Sequence, residues 1–177
     1  MTAYKLIVLL PFFTGLYLFT QAQDKDSVIR RIRQVTETIN TDKTLKKVVL
    51  SAEEYLDDVP DGGAELTGYF RGNSIVKISE WIGLSYGIKT FDYYFQKDLP
   101  VFIYETEKRF GHTKSVIEYN KQTLSYEGRY YFSNTHLIEQ KLKGKKAFND
   151  STDPSGLLKE YKQYKILLQK KKNAVKK

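Results

Sequence analysis

The sequence predicts an α+β fold: an antiparallel β-meander of about six strands, one helix before it and one after. Three observations predict it. One phrase occurs three times, as Gly68-Tyr69-Phe70, Tyr93-Tyr94-Phe95 and Tyr130-Tyr131-Phe132, each followed by a short polar break and then Ile75, Leu99 or Leu137. The breaks Arg71-Gly72-Asn73-Ser74, Gln96-Lys97-Asp98 and Ser133-Asn134-Thr135-His136 suit tight turns, so the phrases read as hairpins. The aromatic content is mainly Tyr and Phe, 14 and 10 against a single Trp, which favours strands over a helical bundle. A chain of 177 residues without a low-complexity run or a long Pro/Gly-rich linker is enough for one domain with its own core.

Residues 1–22 stand apart from that fold. Lys5 is a basic start, Leu6 to Phe19 is apolar around Pro11 and Gly15, and Thr20 and Ala22 are small residues suited to a cleavage site. This order is that of a secretory signal peptide cut after Ala22. The apolar run is short for the ~20 residues of a membrane-spanning helix. The sequence contains no cysteine, which removes disulfides, thiolate metal sites and a lipid attachment point at the signal junction. The expected product is exported, periplasmic or secreted, and not lipid-anchored.

Asp24 to Asn40 reads as the first helix, with Val28, Ile29, Ile32, Val35 and Ile39 on one face. Asp24, Asp26 and Ser27 lie near its start, where they can accept from free backbone N–H groups. Val48-Val49-Leu50 suggests a short strand within 46–51. Asp57 to Gly63 is an acidic loop with Pro60 and paired glycines; it lacks the ligand order of an EF-hand. Strands follow at about 64–71, 74–82, 87–95, 99–107, 124–133 and 137–143. Alternation places Leu66, Phe70, Val76, Ile78, Ile82, Phe91, Tyr93, Phe95, Tyr130, Phe132, Ile138 and Leu142 on a core face. The opposite face is mixed, with aromatic side chains among charges. The strand 99–107 is apolar on both sides and should be central or covered. Residues 106–123 read as a longer polar connection. Asp150 to Gly156 ends the sheet. A second helix runs from about Pro154 to Lys170, capped by Asp153, with Leu157, Leu158, Tyr161, Tyr164 and Leu168 as its stripe. The domain should span 23–169, and 170–177 should be a disordered basic tail.

The Gly62-Gly63-Ala64-Glu65-Leu66-Thr67-Gly68-Tyr69-Phe70 approach, the Lys77 to Gly83 strand and the Tyr-Tyr-Phe hairpins carry a resemblance. Together with the exported N-terminal helix, this order resembles small secreted proteins of unknown function abundant in Bacteroidetes. The resemblance implies an exported α+β domain and no established activity, so it brings no catalytic residues with it. MORN-type repeats share the hairpins, but their regular glycines are missing.

The formal charge is +8. Residues 157–177 hold eight lysines against Glu160, and Lys5 adds one more, so residues 6–156 are neutral. That tail suggests contact with anionic lipid. Export argues against nucleic acid as the partner. His112 and His136 are far apart and in no ligand-spaced motif, so neither a metal nor another cofactor is expected. Nucleophilic cysteine chemistry is impossible, and no Gly-x-Ser-x-Gly elbow or phosphate-binding glycine loop is present. Paired carboxylates for hydrolysis could come from Glu65, Glu80, Asp92 and Glu105, but no catalytic residue is assigned.

The mixed sheet face is the candidate binding site, through Tyr69, Arg71, Trp81, Asp92, Tyr94, Arg129 and Tyr131. Tyr and Trp offer flat apolar area with a polar edge at small entropic cost. A helix laid on that face would turn the same aromatics into core. The sequence therefore points to an exported, non-enzymatic binding protein whose partner is a protein, peptide or glycan of the envelope. One alternative is a hydrolase acting on envelope glycan or peptide. Another is an inhibitor or immunity-type partner of another exported protein. A pocket converging two carboxylates would favour the enzyme, and an aromatic groove would favour binding.

Overall fold

The computed structural model describes residues 14–114, 116–147 and 152–174, with side chains from Lys25 onward. Residues 1–13 of the expected signal peptide, the first part of the break at 150–156 and the last three residues of the tail lie outside them. The chain forms α1 (Thr14–Thr41), β1 (Lys46–Ser51), β2 (Ala64–Arg71), β3 (Ser74–Leu84), β4 (Gly87–Gln96), β5 (Leu99–His112), β6 (Ile117–Ser133), β7 (His136–Gly144) and α2 (Pro154–Ala174). The seven strands pair antiparallel in chain order, β1 to β7. The fold is thus α+β, with one strand more than expected, because Lys46–Ser51 joins the sheet as an edge against β2. Segment 106–123 also pairs, from Phe110 with Gln122 out to His112 with Ile117, so the expected connection is the outer half of a β5–β6 ribbon.

The helices cover opposite faces. Neighbouring strand residues point to opposite sides, and Tyr130 and Tyr131 separate accordingly. Tyr130 joins the larger core with Leu66, Phe70, Tyr93, Phe95 and Ile103, beneath Leu157, Tyr161 and Leu168 of α2. Tyr131 packs instead with Ile29 and Ile32 of α1, alongside Val101 and Phe102. β5 is therefore covered on both faces, as its apolar pattern requires. Gly68 makes the seat for α2: a Cβ there would stand 2.9 Å from a methyl of Leu168, which is fully buried. Asp153 caps α2 by accepting from the Ser155 N–H at 2.9 Å.

The three hairpin phrases share a device that alternation misses. In each, pairing slips by one residue between the second aromatic and the Phe. Tyr69 faces Lys77 but Phe70 faces Ile75; Tyr94 faces Phe102 but Phe95 faces Pro100; Tyr131 faces Glu139 but Phe132 faces Leu137. Val76, Val101 and Ile138 are the skipped residues, each a β-bulge, and a one-residue slip exchanges the faces beyond it. Ile75 therefore enters the α2-side core in place of Val76. Ile138 turns toward α1. Leu142 stands 54 % exposed near the end of the β7 edge. These three positions correct the core assigned by alternation.

α2 continues past its expected end at Lys170 to Ala174, into the segment expected to be a disordered tail. Its extra turn is docked: the Lys172 ammonium donates to Gly72 O at 2.7 Å and lies 4.3 Å from the centre of the Phe70 ring. Lys171 pairs with Glu54. Among the described residues, no helix is long and apolar enough to cross a membrane.

Candidate functional site

Strand register sorts the α1 side of the sheet into rows. The first runs Lys47, Tyr69, Lys77, Tyr94, Phe102 and Tyr131 across β1 to β6. The second contains Ser79, Asp92, Tyr104 and Arg129, and the third Trp81, Thr90, Thr106 and Glu127. α1 lies along the first row. Lys25 reaches Glu139 at 3.6 Å on β7, and Asp42, just past the helix, meets Arg71 on β2.

The seven candidate binding residues divide accordingly. Tyr131 is core, 3 % exposed, its ring 4.9 Å from that of Phe102. Tyr94 is also buried under α1, and its hydroxyl donates to Asn40 Oδ1 at 3.0 Å. Trp81 is 39 % exposed in the third row. Arg129 stands in the second row, paired with Glu127 at 2.9 Å and 5.6 Å above the Tyr104 ring. Tyr69, Arg71 and Asp92 gather with Tyr94 at the place where α1 ends.

That place is a cavity of about 340 Å³, lined by Ile39, Asn40, Asp42, Lys43, Leu45, Lys47, Tyr69 and Lys77. The chain reverses from α1 into β1 through an Asx-type turn. The Asp42 carboxylate accepts from the Thr44 N–H at 2.9 Å and the Thr44 hydroxyl at 2.6 Å. It also accepts from the Arg71 guanidinium at 2.7 and 3.2 Å. The Thr44 hydroxyl and then Arg71 hold its pKa down at about 2.

Lys77 rises from the cavity floor, with its side chain 14 % exposed. It donates to Asp92 at 3.0 Å and to Asn40 Oδ1 at 3.4 Å. Burial works to lower its pKa, but the Asp92 carboxylate and Tyr94 outweigh that and raise it, so the group stays an ammonium. Lys47 and Lys77 approach the Tyr69 ring from the strands on either side, at 5.4 and 5.6 Å from its centre. Lys47 was missed in the sequence because it sits on an edge strand, and Asn40 and Lys43 because only the end of α1 brings them to the sheet.

A second cavity, of about 380 Å³, lies between α2 and the sheet. Glu80, Phe91 and Glu105 form one cross-strand row in its floor, and Glu160 and Tyr164 reach it from α2. This brings together two of the four carboxylates marked for hydrolysis; Asp92 is on the other face, as is Glu65, the cross-strand partner of Trp81. Glu105 is committed elsewhere. It binds the Lys146 ammonium at 2.5 Å, the Thr152 hydroxyl at 2.8 Å and the Tyr130 hydroxyl at 3.0 Å. Glu107 accepts from the Ala147 N–H at 2.7 Å. Both carboxylates strap the chain leaving β7 onto the sheet. Glu80 accepts from the Tyr164 hydroxyl at 3.0 Å, and burial pushes its pKa up to about 7. Glu160 accepts from the Tyr93 hydroxyl at 3.1 Å and is likewise raised by burial. Among the described residues, no group of three or more His, Asp or Glu side chains is placed to hold a metal ion.

No protein-family model matches this chain, no curated protein matches it, and no solved structure matches it.

Proposed function

We propose that this is an exported binding protein of the cell envelope, non-enzymatic, whose ligand sits on the polar-aromatic sheet face where α1 ends. One observation carries this reading. Four of the seven residues marked from sequence, Tyr69, Arg71, Asp92 and Tyr94, meet around one cavity or hold its lining side chains in place. Cavities with a few convergent polar groups are the usual form of ligand sites. The carboxylate cavity under α2 supports binding less well, because its charged groups already bond to tyrosines, Lys146 and the strap.

The test uses the mature chain, residues 23–177, immobilised and exposed to envelope extract of its own host. Tyr69→Ala serves as the comparison, since Tyr69 is only half-buried and its loss leaves both cores in place. The expected result is a retained component that the variant loses. Equal retention by both proteins would move the site away from this cavity.

The hydrolase alternative has one observation in its favour. Glu80 stays protonated to about pH 7 and shares its cavity with Glu160, and a raised carboxyl beside a second one is the pattern of a general acid. Hydrolysis of envelope glycan or peptide that disappears in Glu80→Gln would establish it over the binding reading.

A further inference from the structure

We infer that the cavity at the end of α1 is a site for a compact oxyanion, a phosphate or carboxylate group borne by the ligand. This rests on the binding function proposed above and specifies its chemistry. The charges around the cavity do not cancel. Arg71 neutralises Asp42 through two hydrogen bonds, and Asp92 neutralises Lys77. Lys43 and Lys47 also line the cavity and have no carboxylate within ion-pair distance among the described residues. Two positive charges are therefore left over in a space of about 340 Å³.

The end of α1 opposes them only in part. Its free carbonyl groups amount to roughly half a negative charge, less than either ammonium. Hydrogen-bond donors converge as well. Asn40 Oδ1 accepts from both Tyr94 and Lys77, which leaves its amide nitrogen with two hydrogens to give. Lys77 has three donors and commits two of them, to Asp92 and Asn40. Among the described lining side chains, Asp42 alone would repel an anion, and Arg71 already holds that carboxylate. A ring of donors around surplus positive charge selects an oxyanion over a neutral or cationic group.

Two sources carry this chemistry, phosphate esters and acidic sugars, and the experiment separates them. Inorganic phosphate, glucuronate and glucose are titrated in turn into the isotope-labelled mature chain at low ionic strength, following the backbone amide signals of Lys47, Tyr69 and Lys77. Saturable shifts with phosphate, with glucuronate or with both, and none with glucose, are expected; the stronger of the two identifies the source. The double variant Lys43→Gln, Lys47→Gln should lower affinity at least tenfold, and added chloride should weaken binding by the wild type. Asp42→Asn, which frees Arg71, should tighten binding severalfold, a gain that a merely structural role for Asp42 would not give. Equal shifts with glucose would overturn the oxyanion inference and leave the binding face standing. No shift at these amides with any of the three, in a chain whose spectrum is that of a folded protein, would overturn the oxyanion site, and the capture experiment with Tyr69→Ala would then decide the face separately. Unchanged affinity in the double variant would also overturn it.

Discussion

Replacing Glu80 with Gln should remove one part of the protein's pH dependence, the part in which stability falls as pH rises. Glu80 is 3 % exposed, and burial lifts its pKa to about 7 from an ordinary 4.5, with Tyr164's hydroxyl pulling it down and the Glu160 charge pushing it up. In the unfolded chain the group returns to its ordinary value. Between the two values the folded state holds a proton that the unfolded state has released. The stabilisation is thus complete below about pH 4.5 and is lost as pH rises through about 7. At ~1.4 kcal/mol for each tenfold change in proton affinity, the effect is bounded at roughly 3 kcal/mol. Glu160 acts in the same direction. Asp42 and Asp153 act oppositely, since their lowered values give stability that is lost as pH falls.

The measurement is therefore the difference between Glu80→Gln and wild type, in which the other groups cancel. The amide keeps the size of the side chain and a carbonyl oxygen to accept from Tyr164. Urea unfolding can be followed through Trp81, the one tryptophan, which stands on the opposite face from Glu80. The two proteins should be equally stable near pH 4, and the variant should be ahead by ~1–3 kcal/mol above about pH 8. For a chain of this size that is a rise of roughly 3–10 °C in melting temperature. A difference that does not change with pH, or a wild type that overtakes the variant as pH rises, would show that Glu80 is ionised in the folded state and sink the account of the α2 cavity.

Three further outcomes are expected. Thr135 holds a φ of 67° at the second position of the β6–β7 turn, where a β-branched residue is strained, so Thr135→Gly should raise stability by ~1 kcal/mol in the same urea assay. Cutting the chain after Gln169 removes the docked Lys172 and should cost ~1–2 kcal/mol, whereas cutting after Gly156 removes the Leu157, Tyr161 and Leu168 contacts and should abolish cooperative unfolding; equal stability of the two truncations would refute α2 docking. Mass spectrometry of protein purified from its own host should find residue 23 as the first, and an intact Met1 would end the export proposal.

Much of the fold was legible because periodicity survives in the sequence. The stripes of both helices, with Ile29, Ile32 and Ile39 in one and Leu157, Tyr161 and Leu168 in the other, are buried where spacing puts them. Strand faces were legible except between each bulge and its turn: Ile75 and not Val76 joins the core, while Ile78, beyond the bulge, is buried as alternation has it. The phrase Tyr-Tyr-Phe looks like plain alternation running into a hairpin. Its meaning is a bulge opposite the step from the second aromatic to the Phe, and the extra residue, Val76, Val101 or Ile138, lies on the other strand. Nothing local to Ile138 marks it as unpaired, because Leu137 and Ile138 are adjacent aliphatic residues and either could carry the pairing with Phe132. The slip is fixed jointly by a two-residue turn and by aliphatic demand from α1, which needs Val101 and Ile138 as partners for Ile29 and Ile32. A long-range contact thus sets a local parity.

The candidate site was half legible for the same reason. Alternation found the mixed face, and it could not say where a helix would cross it. Once α1 is laid along the first row, identical residue types part ways: Tyr131 becomes core, Tyr94 becomes a buried donor to Asn40, and Tyr69 becomes a cavity wall between two lysines. The path of the helix follows from Lys25 meeting Glu139 at one end and Asp42 meeting Arg71 at the other, pairs separated by most of the chain or by a whole strand pair. Those exposed ion pairs contribute little stability singly. Their consequence is positional. With Asp42 drawn to Arg71, the one carboxylate among the described lining residues is neutralised, and Lys43 and Lys47 are left facing the cavity with charge to spare. The anion preference proposed for this site is therefore a property of where α1 stops, because Asp42 reaches Arg71 only from the turn that ends the helix.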